Sequence, residues 1–283
     1  MITSHSQRWR DGRTIFVRGE AFDPASYSVR AIGEQDARAF VVDHHYSKSF
    51  PAARHSVGLF RRGGAQAERL TGVAVFSVPM NQAVVPRYTG LMAEAGAELG
   101  RFVLLDEAPM PAESWFLSRA FGSLRAAKPK IEAVVSYADP ATWRSPDGAI
   151  TKPGHIGKAY WALCARYHGR TEPRKRWLAG EGGAVSERAL SKIRNGESGH
   201  GYATAQLVAL GASSPAVGQS PRDWLDELAR GGFLRRATAP GKHTYAWGLT
   251  RRARAAARSF APLAYPLIGD PTGCDVTGLP LFS

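Results

Sequence analysis

The chain has 283 residues, 44% of them hydrophobic, which suffices for a full α/β domain plus a smaller appendage and excludes wholesale disorder. Two cysteines, Cys164 and Cys274, make neither a disulfide framework nor a zinc site. Apolar runs such as Phe102 to Leu105 are too short to cross a bilayer, and a net charge of +13 points to a polyanionic partner, nucleic acid being the commonest, although an Arg-favouring genome produces the same count.

In chain order, residues 1–26 read as a polar lead-in without the apolar stretch of a signal peptide, which implies a cytoplasmic location. Tyr27 to Ile32 alternates like a short strand, and Gly33 to His44 carries Ala37, Phe40 and Val41 on one helical face. Ser56 to Arg61 and Leu70 to Val78 are β-like segments separated by Arg62-Gly63-Gly64, a hairpin signal. Leu99 to Asp106 is a nearly apolar strand, as expected for a central position. Ser114 to Ala127 places Leu117, Ala120, Phe121 and Leu124 on one helical face. Ile131 to Asp139 is a strand whose period of two sets Tyr137 and Asp139 on one face and Ser136 on the other. Gly157 to His168, with Tyr160, Leu163 and Tyr167, reads as a further helix. Residues 27–180 thus form an α/β domain with a mixed sheet flanked by helices.

Past Gly169 the segments become shorter and more basic. From Ser186 to Pro262 there are twelve Lys/Arg against five Asp/Glu, an excess of seven. Ser186 to Arg194, Tyr202 to Leu210 and Arg222 to Arg230 look helical. Phe233 to Arg236 and His243 to Leu249 flank Pro240-Gly241 and read as a hairpin. Residues 181–260 are therefore expected to be a small basic extension of winged-helix type, with Arg222, Arg235, Arg236, Lys242 and His243 on DNA phosphates. Residues 261–283 form a Pro- and Gly-rich tail.

Several constellations bear on chemistry. In an α/β sheet the ligand crevice lies at the C-terminal ends of neighbouring parallel strands. Here these are Leu99–Asp106 and Ile131–Asp139. The helix between them begins near Ser114, with a positive dipole end and a hydroxyl donor suited to a diphosphate. Asp139, at a strand end before Pro140, serves as a general base or metal ligand, or caps the turn. His44-His45 binds metal, shuttles protons, or is polar surface.

The strand and helix order is that of the GNAT acyltransferase fold. Asp43-His-His-Tyr-Ser-Lys-Ser-Phe-Pro51, Glu98-Leu-Gly-Arg-Phe-Val-Leu104, Ala112-Glu-Ser-Trp-Phe-Leu-Ser118, Ala133-Val-Val-Ser-Tyr-Ala-Asp-Pro140 and Pro153-Gly-His-Ile-Gly157 follow in order. Together they resemble the Mom family of phage DNA-modification proteins, over roughly residues 27–250. The resemblance implies a divergent GNAT-fold enzyme that attaches a carbamoylmethyl (acetamido) group to N6 of adenine in double-stranded DNA and so protects a phage genome from restriction. It implies acetyl-CoA as donor and Fe2+ as a possible metal. Carried over by motif, Arg101, Phe102, Val103, Ser114 and Ser118 belong to the cofactor site. Tyr46, Ser136, Tyr137 and Asp139 surround the reacting group, and His45 is the metal candidate. The glycine-rich phosphate loop of ordinary GNAT enzymes is missing. Two other readings compete: a non-catalytic winged-helix regulator that binds DNA, and a GNAT acyltransferase acting on a small amine or a protein.

Overall fold

The computed structural model describes residues 21–267 apart from 48, 64–65, 110, 145–149, 153 and 181–182, and also residues 275–276. Most of the expected lead-in and tail, together with Gly64, Pro153 and Cys274, lies outside them. The chain divides into two compact units. One comprises residues 1–139, 155–171 and 242–268, the other residues 140–154, 172–241 and 269–283.

The first unit is built on β1 (Tyr27–Ala31), α1 (Glu34–His44), β2 (Ala53–Gly63), β3 (Gln66–Ser77), α2 (Val84–Thr89), β4 (Gly96–Leu104), α3 (Ala112–Ala127) and β5 (Ala133–Ala138). Strands β1 to β4 run antiparallel to their neighbours, and β4 and β5 are parallel partners joined by α3. This is the GNAT-like strand and helix order. The alternation read from the sequence decides the layers. Phe76, Leu99, Phe102 and Leu104 point to one sheet face, where Phe116, Leu117 and Leu124 of α3 cover them. Val73, Val75, Val103 and Leu105 point to the other, against Phe40 and Val41 of α1. Each such side chain contributes about 1.5–3 kcal/mol when fully buried.

The second unit contains β6 (Thr142–Arg144) and β7 (Ile150–Lys152), then β9 (Arg174–Ala179), β10 (Gly183–Val185), α5 (Glu187–Asn195), α6 (His200–Ala209), α7 (Pro221–Arg230) and β11 (Leu234–Ala239), while α4 (Lys158–Ala162) and β8 (Arg166–Arg170) belong to the first. Strands β10, β9 and β11 form one small sheet. Ser186 and Ser220 cap α5 and α7 by accepting from Ala189 N and Asp223 N, as N-cap serines do. Trp224, Leu225 and Leu228 of α7 meet Leu190 and Ile193 of α5 in its core.

Two expectations are corrected. The helix expected over Gly157 to His168 is only the short α4. Cys164 adopts φ +51°, in the left-handed region, and Arg166–Arg170 is a strand instead. Tyr160, Leu163 and Tyr167 are spaced for one helical face, but Tyr160 and Tyr167 reach the same core from different elements. Nor do Phe233–Arg236 and His243–Leu249 form a hairpin. Strand β11 pairs with β9, whereas β12 (His243–Gly248) lies between β5 and β8, antiparallel to both. Five of its six residues are buried, as an interior strand requires. The basic segment is thus not a C-terminal extension: residues 172–241 are an insertion, after which the chain returns to the seven-stranded sheet, ordered β1-β2-β3-β4-β5-β12-β8. Then α8 (Arg251–Ala256) follows, and β13 (Asp275–Val276) pairs with β6.

Candidate active site

The parallel register of β4 and β5 runs from Gly96–Ala133 to Glu98–Val135 and ends there, although both strands continue. Beyond this point the edges part. Ser136 Oγ donates across the gap to the Leu99 carbonyl at 3.3 Å and lies 3.2 Å from Tyr160 Oη. A side chain stands here where a backbone ladder would otherwise run.

A bulge sets what faces the opening. The β3–β4 register shifts between Val75 and Phe76, which face Arg101 and Leu99. Gly100 occupies the extra position, and a Cβ there would lie 2.4 Å from Ser77 Oγ. Strict alternation would put Leu99 and Arg101 on one face. The bulge turns Leu99 into the core under α3 and Arg101 to the α1 face, which it shares with Glu98, Val135 and Tyr137.

On that face ionisable groups gather. Arg101 donates through Nε to the Ser49 carbonyl at 2.8 Å and through Nη2 to Ser49 Oγ at 2.7 Å, holding the segment after α1 against β4. Burial lowers the Arg101 pKa, opposed by Tyr46 and Glu98 nearby. Burial pushes the Glu98 carboxyl above its ordinary value, opposed by the charges of Lys242 and Arg101 and, least, by the backbone N–H of Met80. Strand β12 pairs His243 with Ala138, so Lys242 stands one step further, level with Asp139. Asp139 is buried, and its carbonyl accepts from His155 N at 2.9 Å. The ring of Tyr137 meets Tyr88 edge-on.

The opposite face carries hydroxyls. Tyr160 sits beside Ser136. Tyr245 donates to the Ile156 carbonyl at 2.5 Å and accepts from Trp161 Nε1 at 2.9 Å. Burial raises the Tyr245 pKa, so it stays a donor. Helix α3 begins without a side-chain cap, although Ser114 Oγ donates to the Pro111 carbonyl at 3.4 Å.

The expected site residues therefore separate. Tyr46, Arg101, Tyr137 and Asp139 surround the parted strands, and Ser136 bridges them. The side chains of Phe102 and Val103 are core, so only their backbone can meet a ligand. Ser118 is exposed one turn along α3 from Ser114. His45 is buried, and its Nδ1 accepts from Ser47 N at 3.1 Å and lies 2.8 Å from Ser47 Oγ. Of the residues expected to contact DNA, Arg222 and Arg236 are exposed, and Arg236 lies over the Trp177 ring. Arg235 is half-buried and donates to the Gly180 carbonyl at 2.7 Å. His243 is 1% exposed, bonded to Tyr167 Oη at 2.8 Å, and so cannot reach a phosphate. Lys242 belongs to the candidate site rather than to a wing. Sequence reasoning missed Glu98 and Tyr160. A lone carboxylate opening an apolar strand was a usable signal for the first, whereas nothing local marked the second.

Residues 26–266 match the profile of the Mom protein family. The chain belongs to the Mom family. Membership places it in the DNA-modification class that its motifs imply. A solved structure titled as a tandem GNAT protein from the clavulanic acid biosynthesis pathway, without AcCoA, is 13% identical, with a TM-score of 0.32, covering 78% of this chain and 70% of that one. No curated protein matches the chain.

The residues fit the arm of an acyl-CoA donor. The β4 edge vacated by β5 offers strand backbone to an extended, amide-bearing ligand, and α3 is the next element after β4 in the chain. Iron is a different matter. Among the described residues no three or more His, Cys, Asp or Glu side chains converge as a metal site requires, and the Nδ1 of His45 is taken up by Ser47. Among the described residues the donor set does not fit iron.

Proposed function

We propose that this Mom-family protein transfers a carbamoylmethyl group to N6 of adenine in double-stranded phage DNA, with acetyl-CoA as donor, and so shields the DNA from host restriction enzymes. The observation that carries this reading is the gathering of Tyr46, Glu98, Arg101, Tyr137, Asp139 and Lys242 where β4 and β5 part. Family membership supplies the substrate class.

Adenine N6 is a poor nucleophile because its lone pair is delocalised into the ring. A carboxylate that takes the amino proton as the new bond forms lowers that barrier, by roughly a hundredfold to ten-thousandfold. Asp139 and Glu98 are the carboxylates in place. The N–H groups of the β4 edge near Phe102 orient the donor carbonyl and stabilise charge on its oxygen. Ser114 and Ser118 serve the donor's distal end. Attachment through the methyl carbon breaks a C–H bond as the N6–C bond forms, passing two electrons to an external oxidant, while an ammonia-level nitrogen displaces the CoA thiol to make the amide. The proposal therefore takes an oxidant and a nitrogen donor as co-reactants, which distinguishes the product from simple N-acetyladenine.

The test is mass spectrometry of nucleosides from DNA co-expressed with the protein. A deoxyadenosine heavier by the carbamoylmethyl group supports the assignment. Deoxyadenosine heavier by an acetyl group would place the protein among ordinary acyl transferases. Unmodified DNA together with tight DNA binding would make it a regulator.

A further inference from the structure

Enzymes that act on a base must take it out of the stack, and many hold the gap open with an apolar side chain inserted between base steps. The candidate site is rimmed by one side chain of that kind. Met80 follows β3 and is 97% exposed, which is the opposite of what a methionine gains from folding. Val78, two residues earlier, is 45% exposed.

The backbone beneath them is held firmly. Val78 N donates to the Ala52 carbonyl at 2.9 Å. Met80 stands three residues past Ser77, the β3 residue that pairs with Glu98 at the last paired position of β4 and β5. Asn81 Oδ1 accepts from Ala83 N at 2.8 Å, and its carbonyl accepts from Val84 N at 3.1 Å. An exposed apolar side chain is therefore presented on a pinned turn, three residues past the strand position that pairs with a site carboxylate.

We propose that Met80 is a wedge that enters the DNA base stack and fills the space left when the target adenine swings into the crevice between β4 and β5. This rests on the DNA-adenine reading above. The unbranched thioether suits the task, because it is apolar and adapts to an irregular gap. Its place just past the β3 partner of Glu98 sets insertion beside the site that captures the base.

The experiment uses the full chain. Adenines modified by the wild-type protein are first mapped in co-expressed plasmid, and a duplex is then made with 2-aminopurine at one of them. Binding by the wild type should raise 2-aminopurine fluorescence as the base unstacks. Met80→Ala should bind the duplex within about twofold, keep the wild-type melting temperature, and lose most of the rise. Met80→Phe should restore it. In cells, Met80→Ala should cut adenine modification by about tenfold or more. A full fluorescence rise with Met80→Ala overturns the wedge, as does a rise absent from the wild type while plasmid adenines are modified. Plasmid that carries no modified adenine with the wild type overturns the underlying reading instead.

Discussion

Ser136 Oγ donates to the Leu99 carbonyl across 3.3 Å, just past the point where β4 and β5 stop pairing. The same hydroxyl lies 3.2 Å from Tyr160 Oη. One side chain thus spans the parted strands and reaches a buried phenol. Ser136→Ala should lower stability by about 1–2 kcal/mol, the loss of a buried hydrogen bond with its partner left unmet. Tyr160→Phe should cost about the same, and the double variant less than the sum, with a coupling of about 0.5–1 kcal/mol in urea unfolding. Strictly additive losses would show that the two hydroxyls do not act together.

Asp139→Asn keeps shape and removes the charge. DNA modification should fall about a hundredfold or more if the carboxylate takes the N6 proton. The melting temperature should hardly move, because Asn suits a turn before proline as Asp does. Wild-type levels of modified nucleoside with this variant would reduce Asp139 to a cap.

Glu98 predicts a pH dependence. Its pKa is raised by burial, with Lys242 and Arg101 pulling it back. Activity that needs the ionised carboxylate should decline, as pH falls, at a higher pH than an ordinary glutamate would give. Lys242→Met removes the strongest opposing charge and should shift that decline further upward, while Glu98→Gln should erase it. A pH–rate profile unmoved by Lys242→Met would separate Glu98 from the reaction.

His168 should make folding acid-sensitive. Burial, with Arg166 adding a smaller effect, lowers its pKa from 6.5 to about 4, and its ring lies edge-on to Tyr88 and Phe260. Between these values the unfolded chain holds a proton that the folded protein does not, so this contribution to stability is present above pH 6.5 and declines as pH falls towards 4. Denaturant midpoints at pH 5 and pH 7 should therefore differ less in His168→Leu than in the wild type. An equal difference in both would assign the acid sensitivity to other groups.

DNA contact in the second unit is expected on the β9–β11 strand pair. Arg236 faces Trp177, and Thr238 faces Lys175, so Lys175 and Arg236 project from one face. Lys175→Glu and Arg236→Glu should each weaken duplex binding and reduce the salt slope by about 1. Arg125→Glu, at the far end of α3, should change neither. Slopes identical in all three variants would move the contact elsewhere. Truncation before β12 is no substitute, since it strips a central strand from the large sheet.

By itself the sequence determined the local periods and the family. Hydrophobic alternation located β1 to β5 and helical spacing located α1, α3, α5, α6 and α7, because each signal lies within a dozen neighbouring residues. The motifs marked Tyr46, Arg101, Ser136, Tyr137 and Asp139, and the strand period placed Ser136 opposite Tyr137. Tertiary structure decided whatever depends on partners distant in the chain. His243–Gly248 reads as half of a hairpin beside Pro240-Gly241, yet it gains more by burial between β5 and β8, both far upstream in the chain. That return brings Lys242 to the site and buries His243. Arg101 alternates with Leu99 on paper, and only the bulge at Gly100, forced by registry with β3, turns it to the face of Glu98. Tyr160 reaches Ser136 because Cys164 ends its helix early and the chain folds back as β8. Periodicity records which way a side chain leans along its own element, whereas pairing between distant strands selects which elements meet, and the site is made by those meetings.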